Sequence, residues 1–294
     1  MKCVIVGNLA SRTEILGKKK ESSRIGGASY YAGITSARLG AETTIITKLS
    51  EKFNSKWIKE LEKEKIKLIK QPAWTDTEYQ VSYNAAGDKK VKIISDAGNI
   101  VNVPELNPDV VVISSNINKV SSKVLKKLKT PENILALDAQ SFINYTDPKN
   151  KELTKVPWLE KEEFLKSVDI LKLNAKELYY LTGKKTLNSA LDLLKLGPKI
   201  VTLTLAKQGA YIFYDRRYIK VPIYETKMVH KGGVGDVYIT AFALRYKETE
   251  DITDAAYFAA AAASFAVEKH GAAGIEKLNK VEKRYKTLRE IFLA

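Results

Sequence analysis

An α/β protein, with a mostly parallel sheet covered by helices on both faces, is the fold this sequence predicts. Three observations point there. From residue 109 onward, short apolar runs at 109–113, 133–138, 168–173 and 199–204 alternate with helical stretches. Strands that are apolar throughout, rather than alternating, are those buried on both faces. Polar residues gather where the runs end, at Ser114, Asp138, Asn174 and Thr204, and ligands of such sheets collect at the carboxyl ends of strands. Finally, Gly232, Gly233 and Gly235, with Asp236 next, open an apolar helix.

Taken in order, the first strand covers 2–7. It is short, apolar and stops at Gly7, so it reads as a strand and not as a secretion signal. An irregular or hairpin segment fills 8–25. Gly26, Gly27 and Ala28 lead into a helix for which Ser29 is the expected N-cap. Tyr30, Ile34 and Ala37 share one face of it, and Gly40 ends it. Residues 41–49 make a strand and 52–65 an amphipathic helix. The next section changes character. Residues 66–70, 78–84 and 89–95 read as short strands, the last two joined by a Gly87-Asp88 turn. Tyr79, Val81 and Tyr83 alternate with polar residues, as in a half-exposed antiparallel sheet. A small sheet of this kind, inserted early, would serve as a lid.

Between the later strands, helices are expected at 119–129, near 158–166, at 175–181 and at 187–195. Strands at 209–214 and 218–222 lead to the glycine turn and a helix at 234–246. A helix at 252–268 is apolar all round and so should be buried, and a last helix spans 276–291. The 294 residues suit a single domain over 1–294.

Composition narrows the function. Hydrophobic content of 45% supports a full core, and no apolar run is long enough for a membrane span. The lone Cys3 fits a reducing compartment, the cytoplasm. Net charge is +15, which would steer an anionic ligand to a cleft. No zinc finger, aromatic RNA-binding strand or basic heptad region accompanies that charge, so nucleic acid is not an expected partner.

The glycine turn carries the chemistry. A glycine-rich helix start presents unpaired N–H groups and the positive end of the helix dipole, which together make an anion site. Asp236 sets a carboxylate beside the bound anion, as phosphoryl transfer to a hydroxyl needs. The same residues also read as a plain helix start capped by Asp236. No Walker A loop occurs. Asn174 and Glu177, three apart at a helix start, would orient water around Mg²⁺ or form a capping box. His230 and His270 make no metal site with the single cysteine. Arg12 and the Gly26-Gly27 turn fall near the sheet's carboxyl edge, where backbone can approach a ligand closely.

Together these segments resemble the ribokinase (PfkB) family of sugar kinases, from Val4 to about Ile275. Residues 26–40 resemble its first signature, a Gly-Gly turn and helix closed by Arg38-Leu39-Gly40. Asn174 and Glu177 fall on its Asn-x-x-Glu motif, residues 202–210 resemble its nucleotide-side strand and loop, and residues 267–274 the segment near the adenine. Gly233-Val234-Gly235-Asp236 falls on its Gly-Ala-Gly-Asp. The resemblance implies a three-layer sandwich with a mostly parallel central sheet and a small β lid, here drawn from about 12–25 and 66–95. It implies Asp236 as base and the backbone of 233–236 as anion hole. The acceptor, a sugar, polyol or nucleoside, would lie near Arg12, Gly26, Gly27, Tyr31, Asp138 and Gln140. ATP would lie near Asn174, Thr204, Lys207, Gly209, Lys231, Ala262 and His270, with Mg²⁺ reached through water by Asn174 and Glu177.

The chain also departs from that pattern. Arg12 replaces a hydroxyl-binding aspartate, which favours a phosphorylated sugar as acceptor or leaves an arginine facing solvent. Tyr31 and residues 137–142 resemble the inositol-kinase-like branch. His230-Lys231-Gly232 replaces Asp-Thr-x, so Lys231 is expected to supply the positive charge that a monovalent cation gives elsewhere. These changes also admit a relative that binds nucleotide or sugar without turnover. Exposed lid strands could pair two subunits into a homodimer.

Overall fold

The computed structural model describes residues 1–16, 19–20, 23–83, 89–117 and 120–293. The chain begins with β1 (Lys2–Val6), β2 (Ala10–Leu16), β3 (Lys19–Lys20), β4 (Arg24–Gly26) and α1 (Ala28–Arg38). Next come β5 (Glu42–Leu49), α2 (Ser55–Lys63), β6 (Lys67–Pro72), β7 (Thr77–Tyr83) and β8 (Lys89–Ser95). The alternating section holds β9 (Val110–Ile113), α3 (Ser122–Leu128), β10 (Ile134–Asp138), the one-turn α4 (Gln140–Ile143) and the hairpin strands β11 (Asn144–Thr146) and β12 (Leu153–Lys155). It continues through α5 (Lys161–Leu165), β13 (Ile170–Asn174), α6 (Ala175–Thr182), α7 (Leu187–Asp192) and β14 (Ile200–Thr204). β15 (Ala210–Tyr214), β16 (Arg217–Val221), α8 (Val234–Thr249), α9 (Ile252–Ala266) and α10 (Leu278–Leu293) complete it.

Nine strands form the central sheet in the order β16-β15-β14-β13-β10-β9-β1-β5-β6. Neighbours from β14 to β6 are parallel, and β15 and β16 add an antiparallel edge. Alternation along each strand fills two cores. Cys3, Ile5, Val110 and Val112 face α1, α8 and α9, while Val4, Val6, Val111 and Ile113 face the other way. Three layers follow from that pattern, because the inner strands β1, β9 and β10 are buried on both faces. In α9, Ala255, Ala256 and Ala259 to Ala263 are buried, and their small side chains let α8 and α10 pack closely on it. Among the described residues no helix is long and apolar enough to cross a membrane.

The lid is a separate sheet, β3-β2-β7-β8, with β4 paired to β2. Residues 10–16, 19–20 and 24–26 of the early segment and residues 77–83 and 89–95 therefore enter it, but the stretch 66–70 does not. That strand belongs to β6, paired in parallel with β5 at the edge of the central sheet. β5, α2 and β6 form a strand–helix–strand unit, whose helical crossover gives parallel neighbours. Two further expectations change. Ser29 is not the N-cap of α1; Gly27 is, at φ 97°, with no side-chain cap. Ser29 is instead buried in the first turn, because the left-handed backbone of Gly27 starts the helix earlier. The Gly87-Asp88 turn lies outside the described residues. The outer edge of β8, a candidate for pairing two copies, meets residues 151–152 of its own chain, with Ile93 N donating to Lys151 O at 2.8 Å.

Candidate active site

The carboxyl ends of the parallel strands and the start of α8 converge. Gly233 precedes α8 with φ 82°, a left-handed conformation that glycine adopts without strain. The first bond of the helix runs from Val237 N to Gly233 O, 2.9 Å. The N–H groups of Val234, Gly235 and Asp236 therefore lie before the internal ladder and face outward as an anion site. Nothing larger than glycine fits two of these positions. A Cβ on Gly233 would overlap the Tyr31 ring, and one on Gly235 would come within 2.6 Å of Lys172 Nζ.

Asp236 is 7% exposed. Ser114 Oγ, just past β9, donates to its Oδ1 at 2.7 Å; no further hydrogen-bond partner of the carboxylate is found among the described residues. Burial pushes its carboxyl up to about 7, with the nearby Asp138 adding to the rise and Lys172 and Ser114 opposing it. A carboxylate with that affinity is matched to take a proton near neutral pH.

Beneath the turn lies a buried ionic cluster. Lys172 Nζ, on β13, donates to Asp138 Oδ2 at 2.8 Å and stands 4.0 Å from Glu177 Oε2. The three side chains are 5%, 2% and 1% exposed. Burial works against the charge on Lys172, but the two carboxylates outweigh it and its pKa ends above the lysine range. Glu177 is raised, chiefly by burial, against the pull of Lys172. Gln140 N donates to Asp138 Oδ1 at 3.0 Å, and Gln140 Nε2 to Asn116 Oδ1 at 3.0 Å. The Asp138 carboxylate is thus held by the backbone of Gln140, and the Gln140 side chain by Asn116.

From the lid, Arg12 reaches the opposite side of the turn. Its Nη2 donates to Glu14 Oε1 at 2.6 Å, and its Nη1 lies 3.3 Å from His230 Nε2. Arginine can only donate, so that histidine nitrogen accepts. Burial, Arg12 and His270 push His230 down to about 4, which keeps it neutral at pH 7. Tyr79 Oη accepts from Gly27 N at 3.3 Å, tying the lid to the Gly-Gly turn.

Comparison with known proteins then places the chain. A family model described as "pfkB family carbohydrate kinase" matches residues 12–278. The chain belongs to the pfkB family of carbohydrate kinases. The kinase is 28% identical over 275 residues to the ribokinase of Staphylococcus aureus (strain COL), covering 87% of each chain. Its fold is that of a pyrophosphate-dependent kinase in the ribokinase family complexed with a pyrophosphate analog and myo-inositol (TM-score 0.81, 22% identity, 96% of this chain and 99% of that one). It is equally that of the Arabidopsis thaliana ribokinase complexed with ribose and ATP (TM-score 0.79, 23% identity, 97% and 98%).

The kinase brings Asp236, Gly233, Val234, Gly235, Tyr31, Asp138 and Arg12 to one place. Other expected residues sit elsewhere or are already engaged. Lys231 is exposed, and the ammonium beside Gly235 belongs to Lys172. Asn174 and Glu177 form the capping box. Asn174 Oδ1 accepts from Lys176 N and Glu177 N, while both Glu177 oxygens accept from Asn174. A carboxylate so engaged and 1% exposed does not fit contact with a hydrated Mg²⁺. Thr204 Oγ1 points back to Leu173 O at 3.4 Å. Lys207 is exposed, and Gly209 turns the chain with φ 85° tight against Val221 O. Ala262 is buried within α9, and His270 packs on His230 with ring centres 5.0 Å apart. Sequence reading missed Lys172, Ser114 as the partner of Asp236, Tyr79 and Asn116. Ser114 had a signal as a polar residue at a strand end, and Lys172 as a lysine inside the apolar run Leu171-Lys172-Leu173.

Proposed function

We propose that this kinase moves a phosphoryl group from a phosphoanhydride donor to a hydroxyl of an uncharged sugar, polyol or nucleoside. The observation that carries the reading is Asp236, buried at the mouth of the anion turn and held by Ser114 through one oxygen. The acceptor hydroxyl sits between the lid and Asp138–Gln140 and gives its proton to Asp236 as its oxygen attacks phosphorus. The N–H groups of Val234, Gly235 and Asp236 stabilise charge on the phosphoryl oxygens, and the lid excludes water. ATP, held in the Arabidopsis structure, and pyrophosphate, the donor of the inositol-binding neighbour, are the two donors this reading admits. Mg²⁺ enters it as a companion of the donor phosphates and not as a resident of Asn174 and Glu177.

A phosphorylated acceptor has less support, since the charge of Arg12 is already answered by Glu14. The reading implies a cytoplasmic enzyme, and leaves a lid-mediated homodimer open to sedimentation. A phosphotransfer screen of sugars, polyols, nucleosides and sugar phosphates, with both donors, tests it. Transfer to an uncharged acceptor is expected. Because the base works deprotonated, kcat/KM should rise with pH through a limb near 7. A flat profile from pH 5 to 8 would remove Asp236 from its role.

A further inference from the structure

The hairpin β11–β12 grows from the carboxyl end of β10 and brings a lysine back over the strand ends. In its antiparallel register Lys155 stands opposite Asn144, and Val156 N donates to Ile143 O at 2.8 Å just beyond the pair. Further on, Trp158 stacks on Phe142 and pins the returning chain. Leu153 and Lys155 leave the strand on one side, because side chains alternate along it. Leu153 packs against the lid cluster of Tyr79, Val81 and Ile93, while Thr154 between them is exposed. Lys155 is half-buried and turns inward with Leu153.

Its Nζ donates to Asn144 Oδ1 at 3.0 Å. Asn144 Nδ2 donates in turn to Asn116 O at 2.6 Å, and Asn116 Oδ1 is the atom that holds Gln140 Nε2. A run of amides thus links Gln140 to the ammonium and fixes where it sits. An ammonium has more than one N–H to give, and no carboxylate pairs with this one among the described residues. Arg12 and Lys172 differ, being answered by Glu14 and Asp138. Burial is the chief reason the pKa of Lys155 falls below its ordinary value; Glu177 and Asp138 oppose the fall, and Lys172 and Lys176 assist it. Those four groups stand at the ends of β10 and β13, so the cation faces the active site. A cation held by neutral amides and short of a carboxylate is a seat for an anion.

The seat lies on one flank of the anion turn. Gly232 and Gly233 meet Arg12 and Tyr31, whereas Gly235 meets Lys172 and Asp138. Lys155 belongs with the second flank. The acceptor oxygen comes from beneath the lid, on the first, and in-line transfer sends the leaving phosphate away from it.

We propose that Lys155 is a donor-binding residue whose ammonium holds the non-bridging oxygens of the phosphate that leaves. The proposal rests on the hydroxyl-kinase reading and holds for either donor. The acceptor oxygen forms a new P–O bond as the bridging P–O bond breaks. The bridge electrons go with the leaving phosphate, and the acceptor proton passes to Asp236. Lys155 keeps its own proton and gives hydrogen bonds to oxygens that gain charge.

Lys155→Gln keeps a donor for Asn144 Oδ1 and removes the charge. With the donor and acceptor selected by the screen, it should lower kcat/KM for the donor by about 10- to 100-fold, the range of one charge-assisted hydrogen bond, and leave the acceptor KM within about twofold of wild type. Lys155→Arg should recover most of the loss. An unchanged donor kcat/KM overturns the proposal. So does a change confined to the acceptor KM, or a wild-type preference for phosphorylated acceptors that Lys155→Gln abolishes, since either moves Lys155 to the acceptor. A second arm needs no turnover. Titration with inorganic tripolyphosphate, without acceptor, should raise the Tm of the wild-type protein and raise that of Lys155→Gln clearly less. Lys195→Gln, which removes an exposed lysine, controls for net charge; an equal loss in that variant, or no loss in Lys155→Gln, overturns the proposal. Tripolyphosphate binding that depends on Lys155, with no transfer to any acceptor, would count against the kinase reading alone.

Discussion

Asp236→Asn is expected to lower kcat by about 10³-fold, the range a positioned general base contributes, while holding or raising Tm. The amide keeps the shape and can still accept from Ser114 Oγ through its carbonyl, but it cannot take the acceptor proton. The stability half of the result follows from linkage. The carboxyl is pushed up to about 7 in the folded protein, above its ordinary range. Between that range and pH 7 the folded state holds a proton that the unfolded chain has released. Folding stability is therefore lost as pH rises toward 7, and the neutral amide escapes that loss. Steady-state rates and melting curves at pH 8 check both halves. A variant that keeps near wild-type transfer would remove Asp236 from the chemistry, whereas joint loss of rate and fold would make it a structural residue.

Lys172→Met carries the second large effect. It leaves Asp138 and Glu177 buried together without their cation, and breaking such a cluster costs about 3–5 kcal/mol. The pKa of Lys172 lies above the lysine range in the folded protein. Its contribution is therefore complete at every pH below the ordinary lysine value and fades only above it. Urea unfolding at pH 7 should show the loss. Catalysis offers a separate readout. Lys172 holds the carboxyl of Asp236 down, so its removal should move the acid limb of kcat/KM upward by about one pH unit. A limb that stays near 7 in an active variant would make Lys172 merely structural. Should the single variant not fold, pairing Lys172→Met with Asp138→Leu replaces the ion pair by apolar groups, an exchange that buried pairs often tolerate.

The layers of the fold were legible because strand and helix periods differ, and because β9, β10 and β13 are apolar on both faces. Residues 66–70 were assigned to the lid because a short strand looks alike in either sheet; only the helix before it carried the parallel connection. The anion turn was legible from Gly233, Gly235 and Asp236, whose spacing is local. Lys172 was not, because its partners come from β10 and α6 and no local pattern joins them. Asn174 and Glu177 supported two readings at once, and the structure forms the capping box, with Glu177 buried at 1%.

Trp158 and Phe142 are stacked with ring centres 4.2 Å apart, and Phe164 closes on both edge to face. Phe142 belongs to α4, the single turn that also carries Gln140. Of the three tryptophans, Trp158 is 2% exposed while Trp74 is wholly exposed. Their emission therefore falls at different wavelengths, blue for the first and red for the second. One ring thus joins the turn that carries Gln140 to a buried indole, and a shift of the blue component on adding a sugar or polyol would report a ligand at Gln140 without label or turnover.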